Sequence, residues 1–119
     1  MLQSWKSRGG KHWPRGQRFA LTPAGQESEH AYQDAVRQAR AQGRDLLEAA
    51  QRSWAEPLAL LPADGVVLAE LRNGRRSVQE IARALDDCGV AIADVRSAID
   101  RLTDVGLAEP FAGAPQPAL

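Results

Sequence analysis

Residues 77–107 read SVQEIARALDDCGVAIADVRSAIDRLTDVGL, and the fold turns on how they are parsed. Ser77-Val-Gln-Glu80 has the form of a capping box, in which the hydroxyl takes the amide three residues on and the carboxylate reaches back. Behind it Val78, Ile81, Ala82 and Leu85 keep the i, i+3, i+4, i+7 spacing of one buried helical stripe. Asp86 to Val90, which contains Gly89, is a turn. Ile92, Val95, Ile99 and Leu102 then make a second stripe, closed by Gly106 as a helix C-cap. Leu107-Ala-Glu-Pro-Phe111 begins an extended segment. Upstream, Asp64 to Arg72 predicts a short helix with Val67, Leu68 and Leu71 inward, ended by Asn73-Gly74. Three short helices, the latter two joined by a tight turn, are the skeleton of a helix-turn-helix.

The first half is organised differently. Ser4 to Gly16 is rich in Gly, Ser, Lys and Arg, with Trp5 and Trp13 spaced through it, which is the chemistry of an arm or loop. Gln17 to Thr22 (QRFALT) alternates polar and apolar, with Phe19 and Leu21 on one face of a short strand. Thr22-Pro23 starts a helix, a hydroxyl cap followed by proline at the first helical position. That helix runs to Gln42 with Tyr32, Ala35, Val36 and Ala39 at helical spacing, and Gly43 stops or kinks it. A second amphipathic helix fits Arg44 to Glu56, with Leu47, Ala50 and Trp54 on one side. Pro57 and Pro62 bracket an apolar connector. The tail GAPQPAL (113–119) is expected to be frayed or disordered.

Composition narrows the function classes. A chain of 119 residues with 15 Lys+Arg against 15 Asp+Glu and one cysteine supports a single core. No apolar run approaches the ~20 residues that span a bilayer, and no apolar stretch follows Lys6, Arg8 and Lys11 to make a secretory signal. Cys88 alone forms no internal disulfide, and with His12 and His30 it makes no recognisable metal cluster. Cys88 is expected to be a small buried residue and Ser77 a cap, with no His near it in sequence to activate it. Asp86-Asp87 reads as turn chemistry. The expectation is a cytoplasmic protein that is not an enzyme and holds no cofactor or metal.

Zero net charge conceals an asymmetry. Residues 1–20 hold Lys6, Arg8, Lys11, Arg15 and Arg18 and no acid, whereas residues 21–56 sum to −2 and residues 57–119 to −3. Such an arm attracts polyanions through counterion release, or docks on the chain's own acidic body.

The run RSVQEIARALDDCGVAIADVRSAIDRLTDVGLAE resembles the winged helix-turn-helix of small bacterial regulators of the MarR, ArsR and PadR sort. Glu80-Ile81-Ala82, Leu85, Gly89-Val90, Val95, Arg101-Leu102 and Gly106-Leu107 fall on the positions of that pattern, and the likeness covers about residues 63–109. Arg18-Phe-Ala-Leu-Thr-Pro-Ala-Gly25 resembles the returning wing strand and next helix start of the same families, although here it precedes the helix pair. A lone strand needs a partner for its backbone groups. This one is expected to pair with Leu107–Phe111, within the chain or across a dimer. The implied architecture is mainly α, a winged helix-turn-helix with additional N-terminal helices and a short strand pair. Residues 1–16 are expected to form a basic flexible arm, and 17–112 one domain, with the helix-turn-helix core at 63–109.

The resemblance implies a DNA-binding transcriptional regulator, a homodimer through residues 26–56, that meets duplex DNA through helix 91–105 and the arm. Its nucleic-acid contacts are then Lys6, Arg8, Lys11, Arg15, Arg18, Arg75, Arg76, Arg96, Ser97 and Arg101. Asp94, Asp100 and Asp104 on that helix are unsuited to phosphate. The arm, with charge interleaved with Trp5, His12 and Trp13, is the stronger nucleic-acid feature, although Trp13 and Trp54 read first as core or interface anchors. The alternative is a protein- or peptide-binding adaptor without DNA binding, in which the Ala91–Ala93 tip and a strand edge receive a partner. The stretch Leu71–Ala82 also resembles modules that bind precursor peptides in peptide-modification pathways, although their three-stranded N-terminal sheet is not evident here.

Overall fold

The computed structural model describes residues 13, 14 and 16–111. Lys6, Arg8, Lys11, Arg15 and the tail 113–119 lie outside the described residues. Within these, the chain is mainly helical with a small antiparallel sheet. The order is β1 (Arg18–Leu21), α1 (Pro23–Gln42), α2 (Arg44–Ala55), α3 (Asp64–Leu71), β2 (Arg76–Ser77), α4 (Val78–Ala84), α5 (Ile92–Asp104) and β3 (Ala108–Pro110). Single 3-10 turns at Glu56–Leu58 and Asp86–Cys88 follow α2 and α4.

β1 pairs within the chain. It lies between the other two strands, with Phe19 opposite Pro110 and Leu21 opposite Ala108 on one side, and Arg18 opposite Ser77 on the other. The expected strand pair is thus three strands, because Arg76 and Ser77, the α4 cap itself, are extended. Pro110 sits on an edge strand, where a missing N–H costs no ladder bond. Phe19 is fully buried and joins Leu68, Ile81, Val95, Ile99 and Leu102 in one core beneath the sheet.

The start of α1 shows why Thr22-Pro-Ala-Gly25 has its composition. The Thr22 hydroxyl accepts from the Gly25 amide at 3.0 Å and donates to the Gly106 carbonyl at 2.6 Å, so one side chain caps α1 and ties it to the turn after α5. Gly25 lets the helix approach the Leu107 backbone so closely that a Cβ would meet its carbonyl oxygen at 1.9 Å. Gly106 adopts φ +82°, which glycine enters at no steric cost. Further along, α1 and α2 form a hairpin. Trp54 packs edge-on against Tyr32 at 5.0 Å between ring centroids and donates its indole N–H to the Ser28 carbonyl.

Three expectations change. Cys88 is exposed, because it ends a 3-10 turn whose inward position is filled by Leu85. Ile92 is 42 % exposed at the start of α5, and Ala98 takes a buried place in that stripe instead. Trp13 packs edge-on against Phe19 at 5.1 Å and donates to Asp100 Oδ1 at 3.1 Å, as an anchor should, so the stretch read as a flexible arm is tied to the core at this residue. No helix among the described residues is long and apolar enough to cross a membrane.

Candidate nucleic-acid interface

The register of β1 on β2 brings Arg18 beside Ser77 and Phe19 beside Arg76. Arg18 Nη2 lies 3.0 Å from Glu80 Oε2 on a half-exposed surface. The other oxygen of Glu80 accepts from the Ser77 amide at 2.8 Å, and the Ser77 hydroxyl accepts from the Glu80 amide at 3.1 Å. Glu80 therefore closes the capping box with one oxygen and holds Arg18 with the other. The Ser77 amide, aided by the Arg18 and Arg76 charges, keeps its carboxyl below the ordinary value.

Arg76 Nη1 stands 3.5 Å from Glu70 Oε1. Arg75 lies 4.0 Å over the Phe111 ring, a cation–π contact that joins the loop after α3 to the end of β3. Arg75, Arg76 and Glu80 line a cleft of about 460 Å³ that also takes in Arg83. Arg83 was not among the expected contacts, although it lies three residues beyond Glu80 on α4. Arg18, Arg75, Arg76 and Arg83 thus surround the β1–β2 end of the molecule, with Glu70 and Glu80 among them.

Arg96 and Ser97 are exposed on α5, as are Asp94 and Asp104. Arg101 is placed elsewhere. Its Nε and Nη2 each lie 2.8 Å from an oxygen of Asp64, which is fully buried at the start of α3. Those bonds hold its guanidinium above the ordinary value and commit it to the packing of α3 on α5. No signal in the local sequence pairs two residues so far apart. Among the described residues, no group of three His, Cys, Asp or Glu side chains is arranged to hold a metal ion. No protein family, curated protein or solved structure matches this chain.

Proposed function

We propose that this chain is a winged-helix protein that binds duplex DNA, as a transcriptional regulator would, mainly through phosphate contacts. The observation that carries the reading is the gathering of Arg18, Arg75, Arg76 and Arg83 around the β1–β2 end of the sheet. The basic run of residues 1–16 leads directly into that sheet. The strand order β2-β1-β3, with the strand that precedes the helix pair in the middle, supports reading β1 as a returning wing strand. α5 contributes little base reading in this account, since Arg101 is committed to Asp64 and only Arg96 and Ser97 offer donors. Binding is therefore strongly electrostatic and weakly selective.

The test is fluorescence anisotropy of the full chain with a mixed-sequence duplex across a salt series. Lys6, Arg8, Lys11 and Arg15 are changed together to Gln in a second protein. Deletion through residue 16 is the poorer control, because it also removes Trp13 from the core. The expected result is a steep linear fall of log K with log salt, shallower by about 3.6 in slope for the Gln variant, which lacks four cations. A flat salt response, or identical slopes, would overturn the reading.

One observation favours a second reading, a polypeptide-binding adaptor. The exposed side of α5 carries Asp94 and Asp104 with the apolar Ile92, a surface suited to a basic, apolar-anchored peptide and not to phosphate. Failure to retain DNA at physiological salt would move the assignment to this partner class.

A further inference from the structure

A second cleft, of about 560 Å³, opens between β1, the first half of α1 and the loop after α3. Its volume is that of small-molecule sites. Leu21 and Leu71 supply apolar wall, Glu29 and His30 come from α1, and Arg72 and Arg75 come from the loop. Glu29 is the unusual member, a helical carboxylate only 1 % exposed. Its Oε2 accepts from Gln33 Nε2 at 2.8 Å and faces Arg72 Nε at 3.8 Å. Its Oε1 is buried and has no hydrogen-bond partner.

A buried carboxylate oxygen without a donor carries a desolvation cost that a ligand N–H would relieve. Arg72 does not relieve it. At 3.8 Å it is beyond hydrogen-bond range, and its side chain is 57 % exposed, so the attraction is weak and easily exchanged. The same wall includes Arg72 and Arg75 as donors for an anion, the Arg75 guanidinium lying over the Phe111 ring. The cleft thus lacks a donor at one point and offers donors at another, across an apolar wall. A simple anion satisfies only the arginines and a simple amine only Glu29.

We propose that this cleft binds a free α-amino acid with an apolar side chain. Arg72 swings from Glu29 to the ligand carboxylate together with Arg75, which uncovers Glu29 Oε1 for the ligand ammonium, and the side chain lies on Leu21 and Leu71. The inference does not depend on the nucleic-acid reading, and its test contains no DNA.

The test titrates the full-length protein by amide NMR with phenylalanine, N-acetylphenylalanine and phenylalaninamide. Phenylalanine is expected to shift residues 20–21, 26–30 and 71–75, and each blocked analogue to bind about tenfold more weakly. Arg72→Gln, an exposed change that leaves the fold intact, weakens phenylalanine about tenfold and spares phenylalaninamide. Glu29→Gln makes phenylalanine and N-acetylphenylalanine bind alike; if that variant fails to fold, the Arg72→Gln comparison decides. The proposal is overturned if these amides do not move with phenylalanine up to about 10 mM, beyond the weakest useful affinities. It is equally overturned if N-acetylphenylalanine matches phenylalanine on the unaltered protein.

Discussion

Arg101 grips Asp64 with a two-pronged contact, Nε to Oδ2 and Nη2 to Oδ1, each 2.8 Å. Asp64 has no exposed surface, and its Oδ2 also accepts the Leu61 amide at 2.9 Å, so one carboxylate joins α3, α5 and the connector before α3. Removing the cation leaves a buried charge without its partner, which for fully buried pairs costs about 3–5 kcal/mol. Arg101 is 34 % exposed, so water screens part of that loss and about 2–3 kcal/mol is expected for Arg101→Ala. Arg101→Lys recovers only a fraction, because an ammonium cannot match both oxygens at once. Urea unfolding of the two variants measures the difference.

Gly25→Ala is the severest small change predicted. The new methyl would stand 1.9 Å from the Leu107 carbonyl oxygen, and backbone on both sides has no rotamer with which to escape. Either α1 or the turn after α5 must shift, which breaks the bridge that Thr22 makes to Gly106. A loss of about 3 kcal/mol or more is expected, of the size that overpacked sites show. Thermal unfolding should place it well below Gly74→Ala, where no neighbour lies within 4 Å but a φ of +122° is strained.

The capping box gives a pH dependence with a defined sign. The Glu80 carboxyl titrates below its ordinary 4.5 in the folded protein, chiefly because the Ser77 amide donates to it. A depressed acid contributes stability that is present above the unfolded value and lost as pH falls through the folded one. Glu80→Gln should therefore be less stable than the parent above about pH 5 and converge with it in stronger acid. Ser77→Ala, which removes the buried hydroxyl, should cost about 1 kcal/mol. Unfolding curves collected from neutral pH to about pH 3 check both.

Much of this architecture was legible in short-range pattern. The Ser77–Glu80 box, the Thr22-Pro23 start and the stripe at Val78, Ile81 and Leu85 depend on residues within a turn or two of one another, and such patterns survive folding unaltered. The pairing of β1 with β3 was legible for a different reason, since an isolated strand has unmet backbone groups and only one other extended segment was evident. β2 was missed because two residues are too few to alternate. Asp64–Arg101 and Glu29 were missed because burial of a charge depends on what the rest of the chain lays over it. The candidate site divided on the same ground. Arg18, Arg75 and Arg76 come together through strand register, whereas Arg101, adjacent to a buried stripe residue, is drawn inward by a carboxylate in another helix.

Trp13→Ala should lower stability by about 1–2 kcal/mol, less than for a fully buried tryptophan because the ring is only partly buried. It removes the edge-on contact with Phe19 and the hydrogen bond to Asp100. Loss of near-ultraviolet circular dichroism in the folded variant would report the missing contact. An unchanged melting temperature would show that the indole only rests on the surface.

The middle strand of the sheet is the first to be synthesised, and both of its neighbours come much later. While a ribosome is still making the first three helices, the backbone of Arg18–Leu21 has no ladder to enter, and Phe19 has no pocket to fill. Only when Ala108–Pro110 emerges does the ladder close, with the Phe111 amide donating to the Arg18 carbonyl at 2.8 Å. Sheet formation in this protein is therefore a late, long-range event, which slows folding relative to a bundle of the same helices. During translation, Phe19 stays unsheltered until the residues that bury it in the finished protein have been made.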